Sequence, residues 1–351
     1  MAYTTINKST DYFNTKLYTG NQSTQNITGV GFQPDWVWIK QRADDNYSHE
    51  LFDAIRGVTK YMSSNETNAE ATGATTLTAF DSDGFTLGSD TIVNKSGKTL
   101  VAWNWKAGTT GSGNTTGSGT YKSYSYSVNT TAGFSIVKYT GNGTSGQQIP
   151  HHLGAVPKMI IQKRLTSGAG WNTYHHALGL NYMMLNVNNA EASDSGKYNA
   201  NPTSTYVQIG NDGGMNSNDV EHMLYCFAEK TGYSKFGNYS GNGNVDGNFL
   251  YTGFKPAFLM VKRYNSTGNW IMFDNKRSST GGGNEINYAL LADSGSNEST
   301  GTSSNDVDFL SNGIKIREDN GDLNTNGGAY IYMAFASAPL VGTNNIPATG
   351  R

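Results

Sequence analysis

Cysteine, charge and long hydrophobic runs are all scarce in this chain of 351 residues. Cys226 is the only cysteine, so an intrachain disulfide and a four-thiolate zinc site are both excluded. No stretch approaches the roughly 18 consecutive apolar residues that a membrane-spanning helix needs. The first residues, MAYTTINKSTDYF, have neither a basic start nor an apolar run, and we therefore expect no secretory signal.

Charged residues make up only 15% of the chain, with 25 basic and 27 acidic side chains and a net charge of -2. This balance gives no reason to expect nucleic acid or an anionic membrane as a partner. The polarity comes from Asn, Ser, Thr and 43 Gly, which compete with helix formation and favour turns between short strands. Because aromatic residues reach 12%, with 21 Tyr, wholesale disorder is not expected.

One phrase occurs three times along the chain. It reads YTGNQSTQNITGVGFQPDWVWIKQR at 18–42, YTGNGTSGQQIPHHLGAVPKMIIQKR at 139–164 and YSGNGNVDGNFLYTGFKPAFLMVKR at 239–263. Each copy leads to a proline, a short apolar run, a lysine and an arginine: Pro34, Lys40 and Arg42, then Pro157, Lys163 and Arg164, then Pro256, Lys262 and Arg263. An internal repeat of this length predicts three copies of one module rather than a single core with one active site.

Two further segments recur after each phrase. The first reads HELFDAIRG at 49–57, WNTYHHALG at 171–179 and NWIMFDNKR at 269–277. It carries Asp53 and Arg56 in the first copy and Asp274 and Arg277 in the third, whereas the second copy has His175 and Leu178 in these places. The unit then closes with KTLVAWNWKAG at 98–108, HMLYCFAEKTG at 222–232 and YIYMAFASAP at 330–339.

Short segments rich in β-branched and aromatic residues alternate with Gly, Asn and Asp turns, which predicts an all-β fold. About eight strands per copy predict three tandem β-sandwich modules of jelly-roll type with few short helices. We place the modules at 1–107, 121–232 and 233–351, and a flexible Gly/Ser/Thr linker at 108–120. The best candidate for a helix is HELFDAIRGVTKYM at 49–62.

The run that follows each proline is apolar at both odd and even positions: WVWIK at 36–40, MIIQ at 159–162 and FLMV at 258–261. Neighbouring residues of a strand point to opposite faces of its sheet, so such a strand must be covered on both sides. We expect each run to lie centrally in a sheet, with something other than water against its outer face.

Residues with catalytic or metal-binding chemistry form no recognisable pattern. The adjacent pairs His151-His152 and His175-His176 cannot each present two ligands from one strand face, and surface or turn histidines are favoured over a metal site. DSDG at 81–84 lacks the later oxygen ligands of a calcium loop and is typical of a turn between strands. We predict no catalytic residue, no metal and no cofactor, although acids from distant loops could still meet.

The lysine and arginine after each proline are the nearest approach to a recurring site. As binding groups they would suit anionic sugars or phosphate, but a residue repeated in every copy more often serves the module, so a role at the strand end is favoured. Trp36 and Trp38 suit core packing. Trp171 and Trp270 follow Gly-containing loops and are the candidate exposed residues for glycan contact.

Several phrases together resemble a family of marine bacteriophage virion proteins. They are GFQPDWVWIKQR, DAIRGVTKYMSSN, FDSDGFTLGSD, TLVAWNWKAG, the YTGNG…GF.P…VKR repeats and the ending NNIPATGR. The resemblance covers nearly the whole chain. It implies a β-rich structural module on a phage particle, of a kind described as tail-fibre-like or of unknown function, without an assigned catalytic residue.

We therefore expect a non-enzymatic virion protein that is assembled in the bacterial host cytoplasm. A tail-fibre or host-attachment component is favoured, with other virion proteins, a homo-oligomer (a trimer) and a host cell-surface glycan as partners, and without nucleic acid or membrane insertion. A capsid decoration or head-fibre protein is the alternative, because three tandem copies can mimic a three-fold arrangement in one chain. A tail adaptor and a polysaccharide depolymerase are further alternatives.

Overall fold

The computed structural model describes residues 4–43, 46–278, 284–300, 305–319 and 321–342. Strands dominate these ranges, and their pairings are antiparallel. The predicted all-β fold of sandwich-like modules is confirmed. The outermost parts of the predicted first and third modules, including the phrase at 344–351, lie outside the described residues.

The first module contains a six-stranded sheet in the order β1-β9-β3-β4-β5-β6 and a three-stranded sheet in the order β2-β8-β7. A short 3-10 helix, η1 (Ser9–Asp11), and a helical turn, α1 (Thr91–Asn94), accompany them. The strands are β1 (Phe13–Thr19), β2 (Gln25–Thr28), β3 (Trp36–Gln41), β4 (Glu50–Asp53), β5 (Lys60–Ser63), β6 (Ala71–Thr72), β7 (Leu77–Asp81), β8 (Gly84–Leu87) and β9 (Thr99–Trp105).

The second module repeats this plan with extra strands at one side. Its strands are β10 (Thr109–Asn114), β11 (Thr116–Gly117), β12 (Ser123–Asn129), β13 (Phe134–Thr140), β14 (Gln147–Pro150), β15 (Met159–Arg164), β16 (Asn172–His175), β17 (Tyr182–Met184), β18 (Tyr206–Ile209) and β19 (Glu221–Phe227). The large sheet has the order β10-β12-β13-β19-β15-β16-β17, and the small one β11-β14-β18. Two short helices, η2 (His176–Leu178) and α2 (Gly213–Asn216), complete the module.

The third module returns to the plan of the first. Its strands are β20 (Ser234–Ser240), β21 (Phe249–Tyr251), β22 (Phe254–Arg263), β23 (Trp270–Asp274), β24 (Glu285–Ile286), β25 (Tyr288–Leu291), β26 (Ser299–Thr300), β27 (Val307–Leu310), β28 (Gly313–Ile316) and β29 (Ala329–Pro339). The large sheet has the order β20-β29-β22-β23-β25-β26 and the small sheet β21-β28-β27-β24. Within the described ranges, no helix of the chain is long and apolar enough to cross a bilayer.

The predicted linker at 108–120 is wrong as a flexible segment. Residues 109–114 form β10, which pairs with β12 in register Thr109↔Val128, and 116–117 form β11, which pairs with β14. Two glycines of β10 lie under tyrosine rings: a Cβ at Gly111 would meet Tyr126 Oη at 2.6 Å, and one at Gly113 would meet Tyr124 Oη at 2.8 Å. The small residues in this segment therefore make room for aromatic side chains.

The helix predicted at 49–62 is also wrong. The segment forms β4, a turn and β5. Gly57 has φ 87° and Thr59 has φ 65°, and this left-handed conformation ends a right-handed helix. The side chain of Asp53 accepts the backbone N–H groups of Ile55 (3.1 Å) and Arg56 (2.8 Å), so this residue fixes the turn after β4.

The runs at 36–40, 159–162 and 258–261, which are apolar at both odd and even positions, are covered on both faces of their sheets, as predicted. In β3, Val37 and Ile39 point into the core of their own module, between its two sheets, whereas Trp36 and Trp38 point to the opposite side. The second and third modules divide β15 and β22 in the same way. The outward set of all three modules meets in one shared core.

Aromatic side chains from all three modules fill the shared core. Trp36 stacks on Tyr225 with ring centroids 4.8 Å apart. Trp105 lies 5.7 Å from Phe335, and Phe335 lies 6.0 Å from Phe227. Trp105, Phe227 and Phe335 are the last or nearly last aromatic residues of the equivalent strands β9, β19 and β29. What covers each module's large sheet is therefore the other two modules, and each large side chain buried there contributes about 1.5–3 kcal/mol.

Candidate functional site

The Tyr-Thr/Ser-Gly-Asn phrase holds a loop inside each module. The tyrosine hydroxyl donates to a backbone carbonyl: Tyr18 to Val93 (2.7 Å), Tyr139 to Met215 (2.6 Å) and Tyr239 to Leu323 (2.7 Å). The glycine allows close approach of two backbones, because a Cβ at Gly20, Gly141 or Gly241 would lie 2.3 Å from a carbonyl oxygen. The tyrosine and the glycine of the phrase thus have a structural role, because they fix a loop against the rest of the module.

A buried asparagine adds further hydrogen bonds between each phrase and the rest of its module. Asn94, Asn216 and Asn324 are 0% exposed. Their Oδ1 atoms accept the backbone N–H of Asn21 (2.9 Å), Asn142 (2.8 Å) and Asn242 (2.9 Å), respectively. Their Nδ2 atoms each donate to a carbonyl at 2.7 Å, of Gly88, Gly210 and Glu318. We did not predict these residues, although in the sequence each precedes the strand of its closing segment by the same interval.

The recurring lysines join neighbouring modules. Lys40, Lys163 and Lys262 are at most 1% exposed, and each Nζ donates to one carbonyl of its own module and one of a neighbouring module. The contacts between modules are Lys40 to Gly295 (2.9 Å), Lys163 to Thr67 (2.9 Å) and Lys262 to Asn188 (3.2 Å). The first module thus contacts the third, the second contacts the first and the third contacts the second, so the three contacts close a ring.

Backbone hydrogen bonds repeat the same ring. The N–H of Glu298 donates to Arg42 O (2.7 Å), that of Glu70 to Leu165 O (2.8 Å) and that of Glu191 to Tyr264 O (2.8 Å). Each acceptor lies two residues after the recurring lysine. The prediction that the lysines serve the modules is confirmed, with the difference that they lie buried between modules instead of in solvent at a strand end. Burial lowers the pKa of all three to about 8.

The recurring arginines share no common role. Arg42 forms an ion pair with Glu298 of the third module at 2.8 Å. Arg164 donates to Gly213 O at 3.2 Å, and Arg263 to Asn265 Oδ1 at 3.2 Å. Position and contact both differ among the copies, so the arginines cannot act as equivalent ligands.

The Asp…Arg pattern forms buried ion pairs at two of the three interfaces. Arg277 Nε lies 2.6 Å from Asp274 Oδ2, and both side chains are 0% exposed. That carboxylate also accepts Trp103 Nε1–H of the first module at 2.9 Å. In the first module, Arg56 lies 2.5 Å from Asp53, which accepts the Tyr225 hydroxyl of the second module at 2.7 Å.

At the third interface, His175 takes the place of aspartate. Trp103 and Tyr225 correspond to Met333 in the third module, which offers no hydrogen-bond donor. His175 Nε2 lies 3.4 Å from the Tyr332 carbonyl, and Nδ1 accepts from Ala177 N–H at 3.3 Å. Burial lowers the pKa of His175 to about 3. A neutral side chain therefore replaces the aspartate at the one interface where the neighbouring residue, Met333, offers no donor.

Trp171 and Trp270 are not the exposed residues that we predicted for glycan contact. They are 0% and 1% exposed. Trp171 Nε1 donates to Ser63 O of the first module at 2.9 Å, and Trp270 Nε1 donates to Met184 O of the second at 3.0 Å. The glycine-containing loops before them pass over the neighbouring module, so the indoles are buried in the interface and cannot stack on a sugar. Trp36 and Trp38 pack in the core, as predicted.

The other histidines have structural contacts. His151 Nε2 lies 3.1 Å from Thr203 O, and His176 Nε2 lies 3.0 Å from Phe236 O of the third module. His152 stacks on Tyr126 with a centroid distance of 3.7 Å. Among the described residues, no group of three or more His, Cys, Asp or Glu side chains is arranged to hold a metal ion. DSDG forms the turn between β7 and β8, as predicted, and Asp83 accepts Gly29 and Gly31 N–H groups.

Exposed aromatic side chains occur at the outer surface of the third module. Phe249 and Tyr251 of β21 are 45% and 52% exposed, and Val245 in the preceding loop is 60% exposed. β21 is the edge strand of its sheet. We call Val245, Phe249 and Tyr251 the β21 patch; it is the candidate recognition surface that the sequence prediction missed.

Fold and interfaces together define an all-β protein whose three tandem sandwich-like modules close around a shared core. The chain belongs to the DUF7483 family, a domain of unknown function, whose family model matches residues 8–339. The match spans all three modules, so the closed ring corresponds to one family domain. Comparison with curated proteins and with solved structures gave no match.

Proposed function

We propose that this chain is a non-enzymatic structural protein of a bacteriophage particle, acting as a tail-fibre or host-attachment component. The observation that carries the proposal is the use of the recurring polar residues. Lys40, Lys163 and Lys262 each donate to one carbonyl of their own module and to one across an interface. The residues that could have formed a repeated active or binding site thus build a rigid body, and recognition falls to outer loops that differ between modules.

The partners follow from this role. Other virion proteins would bind the ring, which is assembled in the host cytoplasm and incorporated into the particle. Association of whole chains into a homotrimer remains part of the proposal. A host cell-surface glycan is the proposed target of recognition, with a contact surface other than Trp171 and Trp270 because both are buried.

A capsid decoration or head-fibre role is the second candidate, and the closed ring favours it. Equivalent contacts run from the first module to the third, from the second to the first and from the third to the second. Such an arrangement gives one chain an approximate three-fold axis. A single copy could therefore occupy a three-fold position of a shell without breaking its symmetry.

Electron cryo-microscopy of the intact particle, with copy number from quantitative mass spectrometry, tests the proposal. Density for the ring on the tail or its fibres, at the copy number of tail appendages, is the expected result. Density on the shell in proportion to the major capsid protein would replace the tail assignment by the decoration role. A ring around the tail axis would indicate an adaptor. Absence of the chain from purified particles would overturn the whole proposal.

Measurement of polysaccharide cleavage tests the non-enzymatic part separately. Purified chain incubated with host-surface polysaccharide is expected to leave its size distribution unchanged. Release of short fragments would overturn this part and identify a depolymerase.

A further inference from the structure

Two outward-facing positions on equivalent strands carry different residues in the three modules. Strand register aligns β2, β14 and β21, because each pairs with the equivalent strand β8, β18 or β28. The middle residue points into the module core and stays apolar: Ile27, Ile149 and Leu250 are at most 5% exposed. The two residues beside it are Asn26 and Thr28 in the first module, Gln148 and Pro150 in the second, and Phe249 and Tyr251 in the third.

The aromatic pair is therefore not a requirement of the fold. Two copies of the same sheet position are built with non-aromatic residues, whereas the third module exposes two aromatic side chains at 45% and 52%. The Phe249 ring lies across Gly313, where an added Cβ would meet Phe249 Cζ at 2.6 Å. The glycine backbone supports one side of the ring while much of the residue remains open to solvent.

Compensated charges lie beside Phe249 of the β21 patch. Lys315, the register partner of Phe249, lies 2.8 Å from Asp246. Arg317 lies 2.6 Å from Asp308 and 3.5 Å from Asp246. The side chains of Arg317 and Asp246 are 46% and 76% exposed, so they can exchange hydrogen bonds with a ligand. Because the charges pair with one another, the surface favours a ligand without net charge.

We propose that the β21 patch binds a neutral oligosaccharide. The C–H face of a sugar ring packs on an aromatic face, and its hydroxyl groups bond to charged and polar side chains at the rim. A protein partner is less well matched, since specific protein interfaces bury about 1,200–2,000 Å² in total and the patch contributes only three exposed apolar side chains. The inference rests on the proposed attachment role, which makes a surface glycan the natural target.

Substitution with the residues of the first module tests the site with little effect on the fold. Purified full chain is applied to an array of neutral gluco-, galacto- and manno-oligosaccharides, and affinities for the best binder are measured by calorimetry. The Phe249→Asn, Tyr251→Thr double variant is expected to lose at least about tenfold in affinity, a loss typical of one stacking contact. Tyr121→Asn is the matched control, because Tyr121 is 61% exposed in the second module and its substitution should leave affinity unchanged.

Three results would overturn the inference. They are no binding to any neutral oligosaccharide, equal binding by the double variant with an unchanged melting temperature, and a concentration-dependent dimer in analytical ultracentrifugation that the double variant abolishes. The last would assign the patch to contact between copies. The reciprocal variant Asn26→Phe, Thr28→Tyr is expected to gain weak binding of the same sugar.

Failure of this inference is distinguishable from failure of the proposed function. A chain that is found in the particle but binds no sugar retains its structural role without this site. A chain that binds sugar through the β21 patch but is absent from the particle has the site without the virion role.

Discussion

Two interfaces of the ring carry different residues at equivalent positions: the one between the first and third modules, and the one between the second and third. At the first, Asp274 is buried with Arg277 and accepts the Trp103 indole N–H. At the second, His175 faces a backbone carbonyl, and Leu178 stands in the place of the arginine. The carboxylate occurs where the neighbouring strand offers a donor and is absent where that strand offers Met333.

The Asp–Arg ion pair therefore occurs only where the neighbouring module offers a hydrogen-bond donor to the aspartate. The ring closes without this pair at the interface between the second and third modules. A buried carboxylate needs both a cation and further hydrogen bonds to offset its desolvation. Asp53 and Asp274 have both, whereas the second module replaces the carboxylate and the arginine together. The three interfaces still share the lysine and backbone contacts, so closure of the ring depends on those.

The largest expected effect comes from forcing a carboxylate into the interface that lacks a donor. His175→Asp buries a negative charge that has neither a hydrogen-bond donor nor a cation beside it, because Met333 faces it and Leu178 stands where the other modules have arginine. We expect this substitution to lower the free energy of unfolding at pH 7 by about 3–5 kcal/mol. The loss should shrink as pH falls towards about 4, where an unfolded aspartate takes up its proton. Chemical denaturation at several pH values measures both.

A matched control separates charge from shape at this position. His175→Asn keeps a neutral polar group and should cost much less than the aspartate. Because burial lowers the pKa of His175 to about 3, the unfolded chain binds more protons at this site between that value and pH 6.5. Relative to His175→Asn, wild-type stability should therefore decrease as the pH is lowered through this window, and equal pH profiles would contradict the account.

The next largest loss of stability is expected when Arg277 of the third module is replaced by leucine, the residue that the second module has at the equivalent position 178. Arg277→Leu removes the cation from Asp274 and leaves Glu298 with Arg42, so we expect a loss of about 2–3 kcal/mol. Adding Asp274→His reproduces the combination found in the second module and should restore at least about 1 kcal/mol. A double variant less stable than the single one would show that the two residues do not act as a pair.

The sequence predicted much of the fold and little of how the modules meet. Runs such as WVWIK at 36–40 indicated strands covered on both faces, and the repeat indicated three modules. It could not identify the covering surface, because residues at 103 and 274 come together only after the ring closes. Trp171 was misplaced for the same reason: the loop before it suggests exposure until the neighbouring module covers it.

Loss of one interface lysine should have a smaller effect with a pH signature. Lys163→Met removes the amine that donates to the carbonyls of Thr67 and Ala169; Thr67 O keeps the Ala169 N–H at 2.9 Å, and we expect a loss of about 1–3 kcal/mol at pH 7. Burial lowers the pKa of Lys163 to about 8 from an ordinary value of 10.5. Between these values the unfolded chain binds more protons, so wild-type stability rises with pH through this group and the gap to the variant widens.

Lys138→Met is the control for this prediction, since Lys138 pairs with Glu221 at the surface with 31% and 49% side-chain exposure. We expect an effect below about 1 kcal/mol. A gap between wild type and Lys163→Met that stays constant from pH 8 to 10 would show that the buried amine does not titrate as described.

The smallest expected effect is at the outer surface. Phe249→Asn with Tyr251→Thr places in the third module what the first module already carries, so stability should change by no more than about 0.5 kcal/mol. Thermal unfolding measures it, with Leu250→Asn as the destabilising control because Leu250 is 5% exposed. A large loss from the outward pair would mean that these rings support the sheet and are not available for recognition.

Native-state hydrogen exchange of three indole N–H groups tests the closed ring most directly. Trp103, Trp171 and Trp270 each donate across a different interface, to Asp274, Ser63 and Met184. If the modules fold and close as one cooperative body, all three protons exchange with the same free energy, equal to that of global unfolding, and Lys163→Met lowers all three together. Exchange of one indole at a distinctly lower free energy, with the other two unaffected by the lysine substitution, would contradict the ring.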